Sequence, residues 1–133
     1  MPLQYTRHYT LPEARELLPK LREWFAELNE VTPRIHKAEK SFEPRLTAGE
    51  DLGGRGVVEW AKNLRRVHEL LREFQSREIQ LKDVERGLVD FPAILDEREV
   101  FLCWEKAEDN ITHWHDIDTG FAGRKPLWEA RED

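Results

Sequence analysis

Residues 87–127 read GLVDFPAILDEREVFLCWEKAEDNITHWHDIDTGFAGRKPL. Within them EVFLCW, residues 99–104, is a short apolar run with Val, Phe and Trp in it, and it predicts a strand. ITHWH, residues 111–115, is the predicted partner strand, with the turn between Glu105 and Asn110. Upstream, Leu88-Val89-Asp90-Phe91 reads as a short strand ended by Pro92, and Asp96-Glu97-Arg98 as a turn. From Glu78 onward Ile79, Leu81 and Val84 alternate with polar residues, the period of a half-buried strand. After Asp116 the chain becomes a loop rich in turn residues. This block, about 78–128, predicts a small antiparallel sheet.

The residues before it carry a different period. Thr10 followed by Glu13 has the spacing of a capping box, with Pro12 tolerated in the first turn. Ala14, Leu17, Leu18, Leu21, Trp24, Phe25, Leu28 and Val31 recur at three-four spacing, one buried helical stripe. Pro19 predicts a kink, and Thr32-Pro33 either a second kink or a stop with a new start, beyond which Ile35 and Ala38 continue the stripe. Residues 41–56, SFEPRLTAGEDLGGRG, read as a connector that is either mobile or folded over a site. A second helix follows over about 57–77, its stripe Val57, Trp60, Ala61, Leu64, Val67, Leu71 and Phe74. Two such stripes predict an antiparallel helical hairpin over about 10–77. Each amphipathic helix buries only one face, so the hairpin needs the sheet, a second copy of the chain, or both.

Composition bounds the function. At 133 residues the chain predicts a single domain. A net charge of −6 argues against a surface dedicated to nucleic-acid phosphates, and Arg65-Arg66 reads as a solvated helix face. No apolar run approaches the ~20 residues that span a bilayer. One cysteine excludes an intrachain disulfide, and the first residues lack the apolar core of a signal peptide, so the expected location is cytoplasmic. The expected partners are a second copy of the chain, as a homodimer, and a protein or small anionic ligand, with no nucleic acid and no membrane.

The residues with chemistry to offer fall in the last third. On a strand, His113 and His115 share a face with Cα atoms about 6–7 Å apart, so two imidazoles can converge on one metal ion. Cys103 is the third candidate ligand, and strand register decides whether it joins them. With a five-residue loop over 105–109, Cys103 stands opposite Ile111, Phe101 opposite His113 and Glu99 opposite His115. Cys103, Glu99 and both histidines then share one face, leaving Val100, Leu102, Trp104 and Trp114 on an apolar one. A loop one residue shorter flips the parity and turns Cys103 away. The first register is preferred because it groups both tryptophans with the aliphatic residues. Asp90 lies between Val89 and Phe91, where a carboxylate is costly unless paired, and Arg124, Arg86 or a histidine are the available partners. Gly120-Phe121-Ala122-Gly123-Arg124 either folds around an anion, with the Arg124 fork as clamp, or is a plain turn anchored by Phe121.

The segments GLVDFPA, FLCW, Trp114-His115 and GFAGR resemble an uncharacterised bacterial family known as domain of unknown function 2203. The resemblance covers most of the chain. It carries Asp90-Phe91-Pro92, Leu102-Cys103-Trp104, Glu108, Trp114-His115, Gly120-Phe121 and Gly123-Arg124. Two positions depart from it: Ala107 and Glu78 stand where glycines are expected, and the first bears on the turn that sets the register. His113 lies outside the pattern, which shifts weight to His115 with Asp90, Glu108 and Arg124. No activity comes with the resemblance.

The sequence thus predicts an α+β fold, a long antiparallel helical hairpin followed by a small antiparallel sheet. The leading functional reading is an interaction or structural module that self-associates through its helices. The rival is a ligand- or metal-binding protein, an enzyme among its forms, with a site around His115, Asp90 and Arg124. In the rival, His115, Asp90 and Glu108 are the acid/base candidates and Arg124, Trp104 and Trp114 the ligand-binding ones. His113, His115 and Cys103 are the candidates to hold a divalent metal. The two readings differ in geometry: the first scatters His115, Asp90 and Arg124, the second gathers them.

Overall fold

The computed structural model describes residues 2–49 and 54–127. Two helices, α1 (Leu11–Thr47) and α2 (Arg55–Ser76), precede five strands: β1 (Gln80–Asp83), β2 (Leu88–Leu95), β3 (Arg98–Glu105), β4 (His113–Asp116) and β5 (Lys125–Pro126). The strands form one antiparallel sheet in the order β1-β2-β3-β4-β5, a simple meander, and the fold is α+β. No helix is long and apolar enough to cross a membrane among the described residues.

The capping box forms in full at the start of α1: Thr10 N–H donates to Glu13 Oε1 at 2.8 Å, and Glu13 N–H to Thr10 Oγ1 at 3.2 Å. The helix then runs unbroken through Pro19, Pro33 and Pro44, so Thr32-Pro33 is not a stop. It also takes residues 41–47 from the expected connector. Its apolar stripe continues through Ile35 as read and extends further, to Phe42, which packs edge-on against Trp60 of α2 at 5.7 Å. That burial offsets the ~3 kcal/mol a helix-interior proline costs. Residues 50–53, the middle of the expected connector, lie outside the described residues. On α2, Leu70 and Phe74 are fully buried, while Ala61 is exposed; Leu70 was absent from the expected stripe. Leu70 and Phe74 belong to the core shared with the sheet, where Phe74 meets the rings of Trp24 and Phe25.

The sheet follows from three local features. Asp96 and Glu97 both adopt positive φ (53° and 61°), as the tight two-residue β2–β3 hairpin requires. Gly87, at φ 66°, turns β1 into β2, where a Cβ would meet Lys106 at 2.7 Å. Pro92 does not end β2, which continues to Leu95. The carbonyl of Pro92 accepts from Tyr9 N–H at 2.7 Å, on the side away from β3. In a strand, one residue's N and C=O point the same way. The proline nitrogen is therefore also turned from β3, and no ladder bond to that strand is lost.

One face of the sheet, with Val89, Phe91, Ala93, Val100, Leu102, Trp104 and Trp114, packs on the helices. The other face carries Asp90, Phe101, Cys103 and His115, and these are buried too. Its cover comes from both ends of the chain. The N-terminal segment is held by two carboxylates: Glu99 accepts from Gln4 N–H and Tyr5 N–H, Glu78 from Thr6 and Arg7 N–H. This lays the Tyr5 ring edge-on against Phe101 at 5.5 Å. Residues 117–121 fold back over the same face, with Phe121 stacked between the guanidinium groups of Arg86 (4.4 Å) and Arg124 (4.2 Å).

Candidate functional site

Strand register brings the site together. β3 and β4 pair Cys103 with His113, Leu102 with Trp114 and Phe101 with His115. This differs by two residues from the expected pairing, because the connection after Trp104 is longer than five residues. An even displacement keeps the parity, so Cys103 and both histidines do share a face. β2 pairs Asp90 with Cys103, which puts the carboxylate on that face as well. Three adjacent strands thus present Asp90, Cys103 and His115 side by side.

The potential ligand atoms of these three residues all lie within 4.8 Å of one another, and all three side chains are buried. His115 Nε2–H donates to Asp90 Oδ1 at 3.0 Å, with the two residues 1% and 3% exposed. His115 Nδ1 lies 2.8 Å from the Asp116 carbonyl. A carbonyl only accepts, so Nδ1 also carries a proton, and with both nitrogens donating the ring is an imidazolium held in one orientation. Burial disfavours charge on His115, but hydrogen bonds to Asp90, Cys103 and the Asp116 carbonyl, together with the charge of Asp90, outweigh it and push its pKa up to about 10.

A second ion pair adjoins the first. Arg124 grips Glu108 through both guanidinium nitrogens, at 3.1 and 3.0 Å. Burial works against the Arg124 charge, but Glu108 and a hydrogen bond to Cys103 hold its pKa above the ordinary value. Glu108 is itself fixed by the loop: its carboxylate accepts from Glu105 N–H and its carbonyl from Trp104 Nε1 and Arg22. Asp90, His115, Cys103, Arg124 and Glu108 therefore form one connected chain of polar contacts.

Other sequence candidates sit elsewhere. His113 shares the face but not the cluster; its Nδ1 bonds Thr112 Oγ1 at 2.9 Å and lies 4.0 Å from Glu108. Trp104 and Trp114 are buried on the helix-facing side, where they fill the core rather than meet anything bound at the cluster. Sequence reasoning passed over Lys82, Ile117 and Thr119, which line a cavity of about 190 Å³ together with Asp90, Phe101, His115, Gly120 and Phe121. Lys82 lies two residues beyond Gln80, the partner of Asp90, at an irregularity in the β1–β2 register, so simple alternation along β1 did not place it.

Fold and cluster together define a small α+β protein whose motif residues converge on a buried polar centre beside a cavity. The sequence matches the family described as uncharacterized conserved protein, DUF2203, over residues 7–127, and the chain belongs to that family. No curated protein and no solved structure matches it.

Proposed function

We propose that the protein is a metal-binding protein that holds a divalent ion of the zinc class through Asp90 Oδ, Cys103 Sγ and His115 Nε2. The observation that carries this reading is the mutual 4.8 Å spacing of three buried donors from three strands. A thiolate, an imidazole and a carboxylate suit Zn²⁺ or a similar first-row ion. The Asp116 carbonyl already holds Nδ1–H, the arrangement that leaves Nε2 to ligate and fixes the ring's orientation. Arg124 bonds the thiol and is anchored by Glu108, so it would orient the sulfur and temper its charge. Three protein ligands beside a cavity leave a coordination position for water or a small molecule, where the ion would act as a Lewis acid. A reducing cytoplasm would keep Cys103 available as a thiol.

Geometry favours this over a thiol nucleophile activated by a histidine–aspartate relay. In a relay the imidazole stands between the two partners, one on each nitrogen. Here the Asp90 and Cys103 atoms are themselves within 4.8 Å, and Nδ1 is engaged by backbone.

The test is elemental analysis and Co²⁺ substitution of protein purified without chelator or metal-affinity tag. One equivalent of metal per chain is expected, with a thiolate-to-cobalt absorption band lost in Cys103→Ser and the metal lost in His115→Ala. His113→Gln should keep both. Absence of tightly held metal, or metal indifferent to Cys103 and His115, overturns the proposal.

Self-association as a homodimer is a second, compatible reading. Beyond Leu28 and Val67 the hairpin leaves the core shared with the sheet, and its helices pack mainly on each other. Val57, Trp60 and Leu64 stay half-buried there and Val58 is 49% exposed. Sedimentation should find a dimer that Val58→Glu dissociates; a monomeric parent would end this reading.

A further inference from the structure

The cavity beside the cluster identifies the class of ligand, an inference that rests on the metal reading above. We propose that it takes a small organic monoanion, a carboxylate on a flat apolar body, with the carboxylate between the metal position and Lys82. Three observations on the cavity converge.

The first is size. At about 190 Å³ the cavity is smaller than the ~300–1,000 Å³ that encloses drug-sized ligands, and comparable to the ~150 Å³ that holds a benzene ring. The second is shape and polarity. Phe101 and Phe121 offer apolar walls, while Asp90 and His115 line one part of the cavity and open the metal position to it. The third is charge. A divalent ion with the Asp90 carboxylate and the Cys103 thiolate is neutral in sum. Arg124 and Arg86 are matched by Glu108 and Glu105. Lys82 also lines the cavity, its Nζ 6.0 Å from the Phe101 ring centre, and has no carboxylate partner among the described residues. Among the groups that line the cavity or hold the ion, one positive charge is therefore left over, and a monoanion balances it. A neutral ligand would forgo the attraction of Lys82, and a dianion would bring a second charge to a largely apolar site.

The probe is benzoate, titrated calorimetrically into the zinc-loaded full-length protein, with benzyl alcohol as its neutral counterpart and zinc content measured on the same samples. Benzoate should bind, and benzyl alcohol about tenfold more weakly or worse. Lys82→Met should weaken benzoate roughly three- to tenfold with zinc content unchanged, because Lys82 is exposed and is not one of the three metal donors. Zinc present but benzoate not bound, or bound no better than benzyl alcohol, or indifferent to Lys82→Met, overturns this inference alone. Zinc absent overturns the metal reading, and this inference with it.

Discussion

In metal-free protein the His115–Asp90 pair should make stability fall on the alkaline side. His115 titrates at about 10 in the folded state against 6.5 when unfolded. A raised histidine pKa contributes stability fully below the unfolded value and loses it as pH climbs through the folded one. Linkage puts the contribution at about 4 kcal/mol at pH 7, about 1 at pH 9 and less than 1 at pH 10. A chain of 133 residues has roughly 7–20 kcal/mol in total, so the pair is a substantial share of it. The assay is urea unfolding of chelator-treated parent and His115→Gln at pH 7, 8, 9 and 10. The variant should be the less stable throughout, since it leaves Asp90 buried without its cation. The gap between the two should narrow by about 3 kcal/mol from pH 7 to pH 10 as the parent loses its proton. Parallel curves would show that the buried imidazolium does not carry the alkaline limb, and would refute the reasoning.

Further outcomes follow from other parts of the fold. Metal binding must displace the Nε2 proton of His115, so affinity for Zn²⁺ should rise about tenfold per pH unit from that proton alone between pH 7 and 9, read by competition with a chromophoric chelator. Glu99→Gln keeps the shape but removes the charge that holds Gln4, Tyr5 and His8, and should cost about 1–2 kcal/mol in urea unfolding. Burial alone would raise the Glu99 pKa, yet these partners hold it low, so the stability it adds is lost as pH falls through its folded pKa. The acid limb of the stability profile should flatten in the variant. Glu97→Gly relieves a positive φ at the β2–β3 turn and should raise stability by about 1 kcal/mol, seen as a higher melting temperature.

The fold was legible where period and local chemistry agreed. Thr10 and Glu13 announced the start of α1, and 99–104 and 111–115 announced the central strand pair, because capping and strand patterning are local. Pro92 was read as the end of a strand and residues 41–56, Pro44 among them, as a connector, yet β2 runs on through Pro92 and α1 through Pro44. Whether a proline ends an element depends on which way its nitrogen faces and what the flanking residues bury, and both are tertiary facts. The β3–β4 register was misplaced by two residues because the connecting loop, expected to be five residues, 105–109, is longer. Glu108 ties that loop instead, its carbonyl held by nearby Trp104 and by Arg22 of α1, far off in sequence. The parity survived because it rested on grouping the apolar residues, and with it Cys103 fell beside the histidines. Asp90 was visible as an anomaly among apolar neighbours, but only the β2–β3 pairing shows that Cys103 is its neighbour. Sequence weighed His113 as a metal ligand with His115; the structure places Asp90 in the cluster instead.

The two prolines of the sheet have a consequence for the company the protein keeps at high concentration. Tyr9 N–H takes the Pro92 carbonyl where β2 outruns β1. On the far edge Leu127 N–H points inward to Thr112, so the neighbouring Pro126 nitrogen faces outward. The β5 rim of the meander thus includes a backbone nitrogen with no hydrogen to offer an incoming strand, while beside β1 the Pro92 carbonyl is already taken by Tyr9. Open sheets recruit foreign chains through rows of unsatisfied donors and acceptors, and a missing donor interrupts the row. Edge-to-edge growth, the first step toward fibrils, is blunted on the β5 side by Pro126.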